Sequence, residues 1–344
     1  MVRASLGLDH CNDLMAPQLT IEIGKPIKKI VCGGNHTLLL FEDGKLQGCG
    51  DSTMGQLGDP GIRGWHSIFK GKLILDVACG WEFTVVIGSD NKVYSSGVGS
   101  KGELGLGDSH LKCSSFRKVM EVPEGYKGKL YASLQNCVLV LRKDDHCQVY
   151  GWGSNTKEQL GKPKSRRITQ PTLIYESKLK LVEHVAMGKH FMIYLDKRQT
   201  IFSTQGSLPE EFLLKDWLDR PNVSVSCMWT SIHISYEGKI YSFGNDRYKQ
   251  LFHNDQIGDT LKIQSFTTGS EHGILALTDN QVYCWGWGEH GNCGSGSTAI
   301  PITAINDLSN ITSDLALLPL SLTSLHKNIR LFGGCATTWI VVEF

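Results

Sequence analysis

One spacing constrains this chain more than anything else in it. A glycine that ends an apolar stretch stands eight residues before the last glycine of a Gly-x-Leu-Gly-like box. The pairs are Gly50 and Gly58, Gly97 and Gly105, Gly153 and Gly161, and Gly286 and Gly294. Ahead of each pair lies a second mark, an apolar run opened by glycine or its stand-in. Seven copies align on Gly33, Gly80, Leu134, Gly188, Met228, Gly269 and Gly334, in steps of about 40 to 65 residues. The fourth and fifth copies are worn in their second halves, at Ile201–Gln205 and Gln250–Phe252, and the seventh ends after one strand.

Each copy reads as a β-hairpin. Thr84 and Val86 alternate with Val85 and Ile87, and the runs are β-branched, which favours strand over helix. Glu42-Asp-Gly-Lys45 and Tyr236-Glu-Gly-Lys239 carry the glycine a tight hairpin turn needs. A lone hairpin cannot bury its faces, so repeated hairpins must pack on one another. A period near fifty built from strands alone predicts an all-β fold, a seven-bladed β-propeller spanning 1–344 as a single domain. Two stretches break the pattern: 206–223, which reads as partly helical, and 295–327, which reads as a long insertion. Ala4–His10 reads as the tail of a box with no strand before it. The closing blade is therefore expected either to lack a strand or to belong to a chain whose start is truncated. A missing strand leaves an exposed sheet edge.

Composition narrows the function classes. A net charge of +1 gives no general attraction to nucleic acid or to a membrane surface, and the basic run Lys162–Arg167 reads as a solvated loop. The first residues have no apolar core of the kind a secretion signal carries, and no long apolar span occurs. Eleven cysteines without a C-x-x-C pair read as reduced thiols in a cytoplasmic and nuclear protein.

The phrases Cys-Gly-x-x-His-Thr, Asp-Gly, x-Tyr-x-x-Gly and Gly-Gln-Leu-Gly resemble the repeat named after the regulator of chromosome condensation. That resemblance implies a seven-bladed propeller of four-stranded blades. Finer wording, in Cys79-Gly-Trp-Glu82, Cys227–His233, Tyr283–Gly294 and Phe332–Val341, is similar to a fungal branch of the family linked to alpha-tubulin suppression and killer-toxin insensitivity. The resemblance to that branch implies a non-enzymatic heterodimer with the small CSL-type metal-binding protein of diphthamide synthesis. It also implies support of diphthamide formation on elongation factor two and of Elongator-dependent wobble-uridine modification in tRNA. Other members of the family exchange nucleotide on Ran-type GTPases, which is the alternative expectation.

Candidate residues follow from position in the repeat. The two residues after each first glycine fall at one end of the ring. They include Trp81, Glu82, Lys189, His190, Trp229 and Glu271, and His272 follows directly. A tryptophan at such an end is costly to hydrate and useful to a partner. In the sixth copy Trp287, Glu289 and His290 depart from the shared template and are expected to contact a partner from a loop. Trp152, Trp285 and Trp339 are expected in the core. Cys32, Cys79, Cys227 and Cys335 recur near the expected axis with spacing wrong for zinc, so packing is their expected role. No nucleophile elbow or base–nucleophile pair can be assembled, and the glycine-rich loops open no helix that could hold phosphate. The expectation is a binding protein with no catalytic residues, no metal and no cofactor.

Overall fold

The computed structural model describes residues 5–8, 10–59, 64–161, 165–254, 262–294, 316–318 and 328–343. These form an all-β molecule with one short 3-10 turn, Leu214–Asp216. Seven separate antiparallel sheets are present among the described residues. Sheet one is β1 (Ile27–Cys32), β2 (His36–Phe41), β3 (Leu46–Gly50) and β4 (His66–Ile68). Sheet two is β5 (Ile74–Cys79), β6 (Phe83–Gly88), β7 (Lys92–Val98) and β8 (Lys112–Glu121). Sheet three is β9 (Lys127–Ser133), β10 (Asn136–Lys143), β11 (His146–Ser154) and β12 (Arg167–Ser177). Sheet four has β13 (His184–Met187), β14 (Phe191–Leu195) and β15 (Ile201–Gly206). Sheet five has β16 (Ser224–Cys227), β17 (Ser231–Tyr236) and β18 (Lys239–Gly244). Sheet six is β19 (Ile263–Thr268), β20 (His272–Leu277), β21 (Val282–Gly286) and β22 (Ala316–Leu317). Sheet seven is β23 (Asn328–Gly333) and β24 (Thr338–Glu343).

The first strands of the seven sheets touch in order, β1 to β5, β9, β13, β16, β19 and β23, and β23 returns to β1. Each sheet is thus a wedge between two others. That explains the middle strands. β2, β6 and β20 are buried at every position, so they carry continuous apolar runs rather than the simple alternation of a half-exposed sheet. The core lies between sheets. Leu38, Leu40 and Ile68 of sheet one meet Val77, Val86 and Tyr94 of sheet two, while Ile27, Leu39 and Phe41 meet Trp339 of sheet seven. Trp152, Trp285 and Trp339 are all buried. The Trp152 indole N–H donates to the Glu103 carbonyl and that of Trp285 to the Gln250 carbonyl, both at 2.8 Å.

Polar groups stitch the wedges. Asp76 accepts from Lys29 Nζ at 2.9 Å and from the Leu130 N–H at 2.7 Å, so one carboxylate joins sheets one, two and three. Arg330 donates to the carbonyls of Ile27 and Lys28, joining the last sheet to the first.

The irregular stretches resolve differently. Within 206–223, Phe212 and Trp217 pack onto sheets four and five, with Trp217 edge-on to Tyr236, Tyr241 and Phe243. Within 295–327, Ala316–Leu317 pairs with Tyr283 and Cys284 as the outer strand of sheet six, and Leu318 is buried. The remainder of that expected insertion lies outside the described residues, as do 162–164 of the basic run and the first four residues of the chain. Among the described residues β24 pairs on one side only. Among the described residues no helix is long and apolar enough to cross a membrane.

Candidate protein-binding surface

The ring has two ends, and backbone hydrogen bonds identify one of them. After each third strand the chain turns and donates an N–H back to the loop joining the first two strands. The bonds run from Asp51 to Asn35, Val98 to Glu82, Ser154 to Gln135, Ser207 to His190, Asn245 to Thr230 and Trp287 to Glu271, at 2.8 to 3.2 Å. The residues expected from the repeat and the loop of the sixth copy therefore share one end.

Near the axis the loops are bonded to one another. The N–H of Gly34 donates to the Trp81 carbonyl, that of Trp81 to Leu134, that of Lys189 to Trp229, that of Trp229 to Ser270, and that of Ser270 to Gly334, all at 2.8 or 2.9 Å. Small residues permit this approach. A Cβ on Gly34 would stand 2.9 Å from the Trp81 ring and carbonyl.

Held by these bonds, Trp81 of sheet two and Trp229 of sheet five meet across the axis, ring centroids 5.6 Å apart in an edge-to-face arrangement. Trp81 is 38% exposed. Beneath the pair is a narrow cavity of about 130 Å³ lined by Cys32, Cys79, Cys227 and Cys335 with the repeat glycines. Burial pushes the thiols of Cys32 and Cys335 up to about 11 and raises those of Cys79 and Cys227 further, so the four are protonated at neutral pH. No group of three or more His, Cys, Asp or Glu side chains able to hold a metal occurs among the described residues.

The other expected residues divide. Glu82, Lys189 and His190 are half-buried at this end. Burial, then the charge of Lys189, lowers the His190 pKa, which favours the neutral ring. The Glu271 carboxylate accepts from Thr230 Oγ1 at 2.8 Å and from Gln250 Nε2 at 3.0 Å, bracing sheets five and six, and burial raises its pKa. His272 is not at the surface. It begins β20, is fully buried, and points its Nε2 to Thr338 Oγ1 at 3.1 Å. Desolvation holds it down to about 4, so it is a neutral link between sheets six and seven rather than a contact for a partner.

In the sixth copy, Trp287 Nε1 donates to Glu289 Oε2 at 3.2 Å, and its ring lies edge-on to His290, centroids 5.4 Å apart. His290 Nδ1 in turn stands 3.1 Å from Asp13 Oδ2. The loop thus grips the segment that leads into β1. Asp13 is a residue the repeat gave no reason to single out.

A regular feature of this end also lies outside the expected set. In four of the boxes the second residue is buried and accepts the N–H two residues earlier. Gln56 does so from Met54, Gln159 from Lys157 and Gln250 from Tyr248, at 2.8 to 3.0 Å. In sheet two the position is Glu103, which accepts from Lys101 at 2.6 Å, and burial raises its pKa. The visible signal is a carboxylate where sister copies carry an amide.

Comparison with known proteins agrees with this geometry. The family described as "Regulator of chromosome condensation (RCC1) repeat" matches residues 27–56, 74–103, 148–195 and 263–292. An RCC1 repeat-containing protein of Schizosaccharomyces pombe is 29% identical over 98% of this chain and 95% of its own length. The secretion-regulating guanine nucleotide exchange factor of Mus musculus is 25% identical over 87% of this chain, which spans 65% of that protein. An RCC2 homolog of Danio rerio is 34% identical over 43% of this chain and 39% of its own length. Among solved structures, human WBSCR16 superposes with a TM-score of 0.69 at 16% identity, covering 94% of this chain and 88% of that one. Prp20p of Saccharomyces cerevisiae does so with a TM-score of 0.69 at 18% identity, covering 95% and 87%. Four stretches of the chain thus match the regulator-of-chromosome-condensation repeat, and its all-β fold is similar to that of solved proteins such as Prp20p.

Proposed function

We propose that this chain is a seven-bladed propeller that works as a non-catalytic docking platform, and that the Trp81–Trp229 end receives its partner. One observation carries the reading. An edge-to-face tryptophan pair stands at the centre of that end, partly exposed and fixed by backbone bonds between sheets. A rigid, partly hydrated aromatic pair is the type of anchor around which protein interfaces concentrate their binding energy. Two of the nearby ionisable groups are spoken for structurally: Glu271 braces two sheets and His272 is buried. The partner we favour is the small CSL-type metal-binding protein of diphthamide synthesis, with a supporting role in Elongator-dependent tRNA modification. That choice rests on the sequence phrases around Trp81, Trp229 and Trp287.

The test is titration of the purified CSL-type protein into the chain by calorimetry, with Trp81→Ala and Trp229→Ala variants shown to be folded by circular dichroism. The double variant should weaken binding by at least about a hundredfold, as loss of two anchor residues does. Unchanged affinity sinks the assignment of this end.

A second reading has its own support, the similarity to a guanine nucleotide exchange factor over 87% of the chain. The solved structure of Prp20p is also described together with its binding to Gsp1p and histones. Release of labelled GDP from a Ran-type GTPase separates the two readings. Acceleration by this chain alone would replace the platform reading with exchange activity.

A further inference from the structure

In three sheets the third strand and the box after it are fitted together by two residues nine apart. In sheets one and three the pair is a glycine with a leucine, Gly48 with Leu57 and Gly151 with Leu160. A Cβ on Gly48 would stand 2.9 Å from Leu57 Cδ2, and one on Gly151 3.1 Å from Leu160 Cδ2. In sheet two the pair is Ser95 with Leu104, and the Ser95 hydroxyl donates to the Leu104 carbonyl at 2.7 Å. All three leucines are buried. The strand carries a small residue because the leucine of the box fills the space over it.

Sheet six departs from this pattern at both positions. The pair there is Cys284 of β21 with Cys293 of the box Gly291–Gly294. Both side chains lie in one buried cluster with Ile274, Ala276, Val282 and Leu318. The register of the sister sheets puts the Cβ of residue 284 against the side chain of residue 293, so the two thiols share the volume that a leucine fills elsewhere. Contact with the Cys284 side chain, then burial, raises the Cys293 pKa well above the ordinary thiol value. Cys293 Sγ also lies 3.6 Å from the carbonyl oxygens of Trp285 and Trp287, so it touches the turn that carries Trp287. The box is tied outwards as well. The Asn292 amide donates to the Trp287 carbonyl at 2.7 Å, and Thr338 Oγ1 donates to the Asn292 carbonyl at 2.6 Å.

We propose that Cys284 and Cys293 form an oxidation site, a dithiol that a peroxide converts to a disulfide, clamping the loop 287–294 to β21. Cys293, 7% exposed against 0% for Cys284, is the sulfur the peroxide reaches. Its sulfur takes one peroxide oxygen to give a sulfenic acid, and the other oxygen leaves as water. The Cys284 sulfur then attacks the sulfenic sulfur, the S–S bond forms, and the sulfenic oxygen leaves as a second water. The two thiols thus give up two electrons and two protons to the peroxide, which becomes two waters. Because the Cys293 thiol is held protonated, the reaction is slow at neutral pH and quickens as pH rises. An S–S bond of about 2.05 Å is far shorter than a contact between two thiols, so its formation draws the box towards the strand. The loop with Trp287, Glu289 and His290 moves with it. This site does not depend on the reading of the Trp81–Trp229 end.

The test is differential alkylation of the full chain. The reduced chain is exposed to hydrogen peroxide, unfolded, treated with N-ethylmaleimide and digested with trypsin. No Lys or Arg lies between 263 and 326, so Cys284 and Cys293 fall in one peptide that holds no other cysteine. That peptide should lose both reactive thiols together, become two hydrogens lighter, and recover both thiols with dithiothreitol. Amide exchange across 287–294 should slow about tenfold in the oxidised chain. The double variant Cys284→Gly, Cys293→Leu restores the pair of sheet one and should fold, and peroxide should leave its exchange over 287–294 unchanged. Three results overturn the proposal. They are both thiols still alkylated once the exposed Cys11 has been oxidised, Cys293 carried to sulfinic or sulfonic acid with no bond to Cys284, or a bond from either thiol to another cysteine. Equal slowing of exchange in the double variant overturns the clamp.

Discussion

Replacing Gly97 by alanine tests the register on which the ring is built. Gly97 has φ +115° and stands opposite Phe83, and an added Cβ would lie 2.2 Å from the Glu82 carbonyl oxygen and 2.8 Å from Phe83 Cα. Both are backbone atoms, so no side chain can swing aside. Gly71 is the control. Its φ is also positive, at +86°, but nothing lies within 4 Å of its Cβ position. Gly71→Ala should therefore cost only the backbone strain, about 1 kcal/mol. Gly97→Ala adds an overlap that forces the strand from the loop, bringing the total to about 4 kcal/mol. The Val98 N–H bond to the same Glu82 carbonyl, 2.8 Å in length, should be lost with it. Urea denaturation followed by tryptophan fluorescence measures both variants against the parent. A difference between them below about 1 kcal/mol would refute the reasoning, because the clash is the only term they do not share.

Other outcomes follow from the buried polar groups. Asp76→Ala should cost about 3 kcal/mol in the same assay, since it leaves the Leu130 N–H without its acceptor and Lys29 with the Leu130 carbonyl in place of a carboxylate. His36 is fully buried and held down to about 4 by desolvation, against 6.5 for a free imidazole. Its folded pKa is depressed, so its contribution is intact above pH 6.5 and is lost as pH falls towards 4, about 3 kcal/mol in all. His36→Gln should flatten the stability profile across that window. Glu103 shows the opposite sign. Burial raises its pKa, so folding is penalised as pH rises above the ordinary carboxyl range. Glu103→Gln should raise the urea midpoint at pH 7 and lose that advantage near pH 4.

How much of this could be read from the residues depends on distance along the chain. The hairpins and the third-strand glycines were legible because every interaction that fixes them is local. Gly50, Gly97 and Gly286 face residues within the same copy. The alternation at Thr84–Ile87 reads as strand and is one, but the burial of both its faces is not legible there, because it comes from the two neighbours of a wedge. His272 shows the limit of position in the repeat. Glu271 and His272 are adjacent, yet the strand starts between them, so one stays at the end of the ring and the other turns inward. Ala316–Leu317 is too short a strand to show a period, and it read as part of an insertion. The contact of Trp81 with Trp229, and that of His290 with Asp13, join distant copies, and no local pattern announces them.

The joint between sheets one and seven unites residues that lie 303 positions apart, as Arg330 and Ile27 do. Ile27, Ile30, Leu39 and Phe41 leave the ribosome long before the Trp339 that covers them. Arg330 likewise waits to reach the carbonyls of Ile27 and Lys28. Until sheet seven is made the first sheet therefore carries an uncovered apolar flank, and the intervening sheets assemble as an open arc. Closure is a late event with a large sequence separation, the kind that slows folding and leaves intermediates sticky. That flank stays uncovered until sheet seven is released, so chaperone supply and translation speed should affect the yield of this protein.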